Sequence, residues 1–295
     1  MGQELLIELV SDCNLHCKMC AFKHGFTHLR MNNETVRQLF EGIGEINRES
    51  FVYHFTDLRM DGNSEPLLYP DLPYVIKCAN NAGIENINIT TNGVLLTPMC
   101  TDQLMETNLT TLDISMTGII PEIYKEFQGY GFSNEHIQWQ IETIKKNVCY
   151  FVRQKKKFNK SITLTMRYII TPDTYAHFIE YIDCFKAIGA DAVMGMTLTQ
   201  TELRGKCHPY GEIVGRKCCE SPEHPVICAN GDVLMAFCPY DIPVIGNYHK
   251  TSIRNIFLSE KNVRLLRAFR ELKIEDMPEN CQNCYNTHIY RGGKW

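Results

Sequence analysis

Through its first two hundred residues the chain alternates short β-prone runs with segments of helical period, and nothing else limits its fold so strongly. ELLIELV (4–10) is apolar and β-prone, and residues 31–46 carry a helical pattern with Asn33 as the expected N-cap. A strand begins at 52–62 and a helix follows at 72–84, stopped by glycine. INITTNG (87–93) and TLDISMTG (111–118) read as strands on either side of a helix at 97–108. Helical material fills about 121–150, a strand spans 161–170, a helix spans 171–189 and a last strand spans 191–198. Six strands joined by helical crossovers require a parallel sheet. The pattern fits an open doubly wound sheet or a partial barrel, and in both the ligand sites lie at the carboxyl ends of the strands.

After residue 200 the pattern changes. PVICANGDVLMAFC (225–238) reads as a hairpin around Asn230-Gly231, a favoured turn pair, and residues 253–273 as an amphipathic helix. The division expected is therefore 1–199 and 200–295. The basic run RQKKKFNK (153–160) reads as a solvated loop before a strand.

The chain has 14 cysteines among 295 residues, and many are clustered. In a reducing compartment such clusters bind metal or do redox chemistry. Net charge is −4, there is no long apolar run, and the first residues lack a signal-peptide pattern. A cytoplasmic protein with no nucleic-acid or membrane partner is expected. Cys78, Cys100, Cys149 and Cys184 sit in helix-like or apolar contexts and read as core filler.

Cys13, Cys17 and Cys20 follow the first strand directly as C-x3-C-x2-C, so they lie on the loop at its carboxyl end. A structural zinc site is closed by four ligands. Three thiolates on one loop leave a coordination position open, and His16 between them is not needed as a ligand. Four later cysteines, Cys219, Cys238, Cys281 and Cys284, would close a site, with Cys218 interchangeable with Cys219. By themselves those four suit a structural zinc as well as an iron–sulfur cluster.

The C-x3-C-x2-C loop after a first strand resembles the signature of the radical SAM superfamily. That resemblance implies a partial (β/α)6 TIM-type barrel, a [4Fe–4S] cluster on Cys13, Cys17 and Cys20, and S-adenosylmethionine on the free iron. Gly62-Asn63-Ser64-Glu65-Pro66 resembles the family's Gly-Gly-Glu motif, with Ser64 where its middle glycine is expected. The similarity implies that Glu65 accepts a hydrogen bond from the cofactor's ammonium. It places Thr90, Thr91 and Asn92 near the cofactor and Ser115 at its ribose, with Asp113 a weaker contact. Arg167, a charge within an apolar strand, pairs either with the cofactor or substrate or with a structural partner. Met19 stands where the family often has an aromatic residue.

The region from Cys218 to Cys284 resembles the SPASM/twitch extension of these enzymes, and its cysteine count implies one auxiliary [4Fe–4S] cluster in a twitch-type hairpin-plus-helix extension. An external one-electron reductant, flavodoxin or ferredoxin, is implied too. The 5′-deoxyadenosyl radical made from S-adenosylmethionine would take a hydrogen from a C–H bond of a small-molecule substrate. Loss of a second electron would make a ketone, as in 2-deoxy-scyllo-inosamine dehydrogenase. Return of a hydrogen from a thiol would make an epimer, as in radical SAM epimerases. Cys218 and Cys207 are the expected catalytic thiols, with Cys228 also spare. With the first cysteine at position 13, no separate leader-peptide-binding domain is expected, so a peptide-modifying enzyme, an epimerase or RiPP maturase, is the alternative reading. The resemblance to compact single-cluster relatives implies a sugar, aminoglycoside or nucleoside-like substrate.

Overall fold

The computed structural model describes residues 2–18, 20, 27–61, 64–197, 224–235, 244–271 and 273–282. Six parallel strands form its main sheet: β1 (Gln3–Ile7), β2 (Phe55–Met60), β3 (Asn86–Thr91), β4 (Thr111–Ser115), β5 (Thr163–Ile170) and β6 (Ala192–Thr197). They lie in sequence order, each beside the next. The crossovers carry α1 (Asn33–Glu49), α2 (Leu72–Asn81), α3 (Pro98–Met105), α4 (Pro121–Phe127), α5 (Asn134–Lys157), α6 (Pro172–Tyr175) and α7 (Phe178–Ile188). This is the expected partial barrel.

Each strand alternates polarity along its length. Leu58, Met60, Ile87, Ile89, Leu112, Ile114, Leu164 and Met166 are buried with the helices in one core. Their neighbours Asp57, Arg59, Asn86, Asn88, Thr111, Asp113, Thr163 and Arg167 lie on the opposite face, because successive strand residues point to opposite sides. Parallel strands covered on both faces are nearly all apolar. Here only the outer face is, which leaves a polar inner face. Each fully buried aliphatic side chain on the outer face stabilises the fold by about 1.5–3 kcal/mol.

Local rules set the helix ends, with some departures from expectation. α1 is capped by Asn32, whose side chain accepts from the Thr35 amide at 2.8 Å, not by Asn33. Asn32 has the extended backbone a cap needs, while Asn33 is already helical and bonds Asp71 and the Tyr69 hydroxyl. The basic run is not a loop before β5. Lys155, Lys156 and Lys157 form the last turn of α5, where cations meet exposed helix carbonyls. The 171–189 segment divides into α6 and α7. Cys149 is exposed, since it is turned away from the buried Val148–Val152 stripe of α5, and Cys78, Cys100 and Cys184 are only half-buried.

The expected hairpin is present as β7 (Val226–Ile227) and β8 (Asp232–Leu234), turned at Gly231 with φ +97°. It adds to the main sheet: β7 pairs in parallel with β1, Leu6 opposite Val226 and Ile7 opposite Ile227. β9 (Val244–Asn247) continues the sheet. The predicted 253–273 helix is two, α8 (Ile253–Leu258) and α9 (Glu260–Arg270), because Ser259 ends one and caps the other. α8 is held against α1 by Arg254 and Glu49 at 2.6 Å, and Phe257 packs on Tyr53 and Phe55. α10 (Glu279–Gln282) follows. No helix among the described residues is long and apolar enough to cross a membrane.

Candidate active site

The carboxyl ends of β1, β2, β3 and β4 converge on the cysteine loop. β1 ends at Ile7, and Cys13, Cys17 and Cys20 follow, each half-buried, with His16 exposed. The loop is anchored at three points. The Glu65 amide donates to Asp12 O at 2.8 Å, the Asn92 side-chain amide donates to Asn14 Oδ1 at 2.7 Å, and the Lys18 amide donates to Phe127 O at 2.8 Å. Three different crossovers therefore hold one loop. The Leu15 amide also donates to Cys13 Sγ at 3.4 Å.

Glu65 is the hub. Its side chain is buried and makes three contacts. Oε1 accepts from the Thr91 hydroxyl at 2.6 Å and the Leu67 amide at 3.0 Å, and Oε2 accepts from the Asn92 amide at 2.9 Å. Burial pushes the carboxyl upward, against the pull of those hydrogen bonds. A carboxylate has about four acceptor positions, so one remains beyond the three in use. Thr91 is committed to Glu65 and, through its hydroxyl, to the Gly93 amide. Gly93 turns the chain with φ +79°, and a Cβ there would lie 3.0 Å from Ile114. Asn147 of α5 clamps that turn by donating to the carbonyls of Gly93 and Val94. Ser64 beside Glu65 is half-buried, while Gly62 and Asn63 lie outside the described residues.

On β4 and β5 the inner face carries Ser115 opposite Arg167. Of the two partners expected for Arg167, the structural one is present. Its Nη2 pairs with Asp113, which also accepts from Asn88 at 2.9 Å. The Arg167 Nε is buried with no partner among the described residues. Further toward the amino ends of the strands, Arg59 joins Glu4 at 3.1 Å and Asp61 at 2.7 Å. Burial works against ionisation of Glu4, but His224, Arg59 and Arg167 outweigh it and hold its carboxyl below the usual range. A cavity of about 490 Å³ opens here, lined by residues that include Glu4, Asp57, Arg59, Asn88, Thr111 and Arg167.

The three thiols test whether an iron–sulfur group suits the loop. Burial pushes Cys13 up to about 12, with Glu65 and Cys20 adding to the rise. Cys17 is raised by burial and by the charges of Cys13 and Cys20. Cys13 and Cys17, both held upward by burial beside a buried carboxyl, suit a bound group that takes up the charge of their sulfurs. Among the described residues no three His, Cys, Asp or Glu side chains form a site for a single metal ion.

Two family models match the chain. The radical SAM superfamily model matches residues 7–183, more than half of its length. The chain belongs to the radical SAM superfamily. The second, the SPASM iron–sulfur cluster-binding domain, matches residues 218–285. The protein is thus a radical SAM enzyme whose cofactors are a [4Fe–4S] cluster with S-adenosylmethionine and auxiliary iron–sulfur chemistry in the SPASM region.

Among curated proteins, the probable GTP 3′,8-cyclase of Methanococcus vannielii is 26% identical over 184 residues, 62% of this chain and 55% of that protein. The probable GTP 3′,8-cyclase of Methanococcus aeolicus is 33% identical over 130 residues, 43% of this chain and 41% of that protein. The chain spans about half the length of the curated relatives it matches. Streptococcus suis SuiB bound to S-adenosylmethionine superposes with a TM-score of 0.67 at 15% identity, covering 100% of this chain and 73% of SuiB. BtrN in complex with AdoMet and 2-DOIA gives 0.54 at 15% identity, covering 97% and 94%. These structural likenesses show the fold.

In this radical SAM enzyme, Cys13, Cys17, Cys20, Ser64, Glu65, Thr91 and Asn92 lie together at one end of the sheet. Ser115 and Arg167 stand on its inner face. Cys281 lies apart in α10, half-buried among residues packed with Ala268 and Met277. Cys207, Cys218, Cys219, Cys238 and Cys284 lie outside the described residues. Sequence patterns passed over Asn14, Tyr124, Gln128 and Asn147. Asn147 had a signal: it is a polar residue on the apolar stripe formed by Ile137, Ile141, Ile144 and Val148.

Proposed function

We propose that this radical SAM enzyme takes a hydrogen from a C–H bond of a small polyhydroxylated substrate, a sugar, aminoglycoside or nucleoside-like molecule, and epimerises or dehydrogenates it. The observation that carries the proposal is the polar inner face. From Thr111 to Ser115 it runs five residues, about 13 Å at a strand's rise. Along it stand hydroxyl, amide and charged groups that match a hydroxyl-rich ligand. The names of the GTP 3′,8-cyclase relatives favour the nucleoside-like arm of this class.

Within the proposal Cys13, Cys17 and Cys20 hold the first cluster. Cys219, Cys238, Cys281 and Cys284 hold the auxiliary one in a domain of residues 200–295. When bound, and reduced by an external flavodoxin or ferredoxin, the group on Cys13, Cys17 and Cys20 would supply the radical chemistry of S-adenosylmethionine that removes the hydrogen. The remaining acceptor position of Glu65 takes the cofactor's ammonium, with Ser64, Thr91 and Asn92 shaping its pocket and Ser115 at its ribose. Arg167, neutralised on one side by Asp113, directs its Nε toward substrate or cofactor. For epimerisation, Cys218 or Cys207 would return one hydrogen atom, and the thiyl radical left behind would regain one electron from the external flavodoxin or ferredoxin and one proton from solvent. For dehydrogenation, the auxiliary cluster on Cys219, Cys238, Cys281 and Cys284 would supply an acceptor for the second electron, and the substrate would give its proton to solvent.

The test is anaerobic reconstitution followed by turnover in D2O with pools of nucleotides, sugars and aminoglycosides. Substrate-dependent 5′-deoxyadenosine is expected. One deuterium in the recovered product identifies an epimer, and a loss of two hydrogens identifies a ketone. Deoxyadenosine release stimulated by short peptides and by none of the small molecules would overturn the substrate class. The structural likeness to SuiB bound to precursor peptide SuiA, with a TM-score of 0.65 at 15% identity, makes peptides the comparison to include.

A further inference from the structure

The Tyr124 side chain raises a separate question. It is one of the largest fully buried side chains in the molecule, at 0% exposure. Its hydroxyl is buried too, with no hydrogen-bond partner among the described residues. Leaving such a hydroxyl unpaired costs about 1–3 kcal/mol. Phenylalanine would fill the same space without that cost, so a phenol here calls for an acceptor.

The surroundings narrow what that acceptor is. Tyr124 sits in α4, and the end of α4 is fastened to the cysteine loop by the Lys18 amide on Phe127 O at 2.8 Å. It is also fastened to β4: Gln128 donates to Ser115 O at 2.7 Å and accepts from the Thr117 amide at 2.7 Å. Gly129 packs beside the Tyr124 ring, where a Cβ would come within 3.1 Å of it. The ring is therefore buried on a helix whose end is fixed to both the cysteine loop and β4. The loop that α4 grips through Lys18 carries Cys17 one residue away, so the ligand sulfurs of that loop are the acceptors this helix adjoins. A protonated phenol is a donor, and thiolate sulfur is an acceptor.

We infer that Tyr124 is a positioning residue for the first iron–sulfur cluster, donating its hydroxyl proton in a hydrogen bond to a sulfur of that group and setting how readily it is reduced. The inference rests on the cofactor assignment for Cys13, Cys17 and Cys20. Hydrogen bonds to cluster sulfurs draw off electron density and raise the reduction potential. The phenol therefore makes the first reduction easier, without touching the substrate.

The experiment is a redox titration of the full chain, reconstituted with iron and sulfide and followed by EPR. The first cluster is recognised as the signal that changes on addition of S-adenosylmethionine. Tyr124→Phe is expected to shift that potential to more negative values and to leave the auxiliary cluster where it is. Site-specific 3-fluorotyrosine at 124, a stronger donor of the same shape, is expected to shift it the other way, and it carries the test if the phenylalanine variant fails to take up iron. A first-cluster potential that is the same in wild type and both variants would overturn the inference. So would equal shifts of both clusters, which would mark a general disturbance of the fold. Wild-type protein that binds no cluster through Cys13, Cys17 and Cys20 would defeat the cofactor assignment itself, a result distinguishable from an unmoved potential.

Discussion

The two faces of the six-stranded sheet share a backbone but are held by different forces. On the outer face Ile89, Leu112 and Ile114 are 0% exposed and pack on helices. On the inner face Asp113 joins Asn88 and Arg167, and Arg59 pairs with Glu4 and Asp61, by hydrogen bonds and ion pairs. Apolar packing adds up over area with little demand on direction, so the outer face supplies stability. Directional polar contacts leave some atoms unmatched, such as the Arg167 Nε, which is buried without a partner among the described residues. Substitutions on the two faces should therefore separate stability from chemistry.

The largest effect is expected at the carboxyl end of the sheet. Cys17→Ala should abolish S-adenosylmethionine cleavage, by at least about a thousandfold, and leave the far-ultraviolet circular dichroism unchanged. Deoxyadenosine production near the wild-type rate would break the link between this loop and the chemistry. Next comes the outer face. Ile89→Ala should lower unfolding free energy by about 2–5 kcal/mol in urea titrations, while turnover per folded molecule stays within about twofold. If turnover fell with little loss of stability, the division between the faces would be wrong.

Asp113→Asn tests the inner face. It keeps the shape but leaves the Arg167 guanidinium without its counter-charge. Because Arg167 is partly exposed, the expected cost is about 1–3 kcal/mol, with a larger relative loss of activity than Ile89→Ala shows. The smallest effect lies at the surface. Asp191 is opposed by burial but held below the ordinary carboxylate range by Lys155, the Leu164 amide and Lys186. Its stabilisation is present above the unfolded carboxylate value and is lost as pH falls through the lower folded value. Asp191→Asn should therefore flatten the acid limb of the stability profile by about 0.5 kcal/mol after screening, with no change at the active site.

Much of this organisation is legible in short windows. Alternation in TLDIS and INITT announces half-polar strands, and three cysteines directly after a β-prone run place sulfur at a strand's carboxyl end. Asn230-Gly231 announces its turn. The helix breaks at Ala176 and Ser259 were less legible, since apolar periodicity runs across them and single caps decide the division. The Asp113 partner of Arg167 could be suspected only because a charge within a strand needs one.

The sequence determined by itself the order and type of the elements, the two-sided strands and the sulfur loop, because those depend on periods of two and of about 3.6 residues and on nearby caps. Only the tertiary structure decided that Glu65 would clasp Thr91 across 26 residues and that Asn92 would reach Asn14 across 78. It also decided that β7 would dock on β1 and that a buried phenol in α4 would lie beside the cysteine loop. The physical reason is one of range. A side chain's period tells which way it points, but what it meets depends on how distant crossovers pack over a common core.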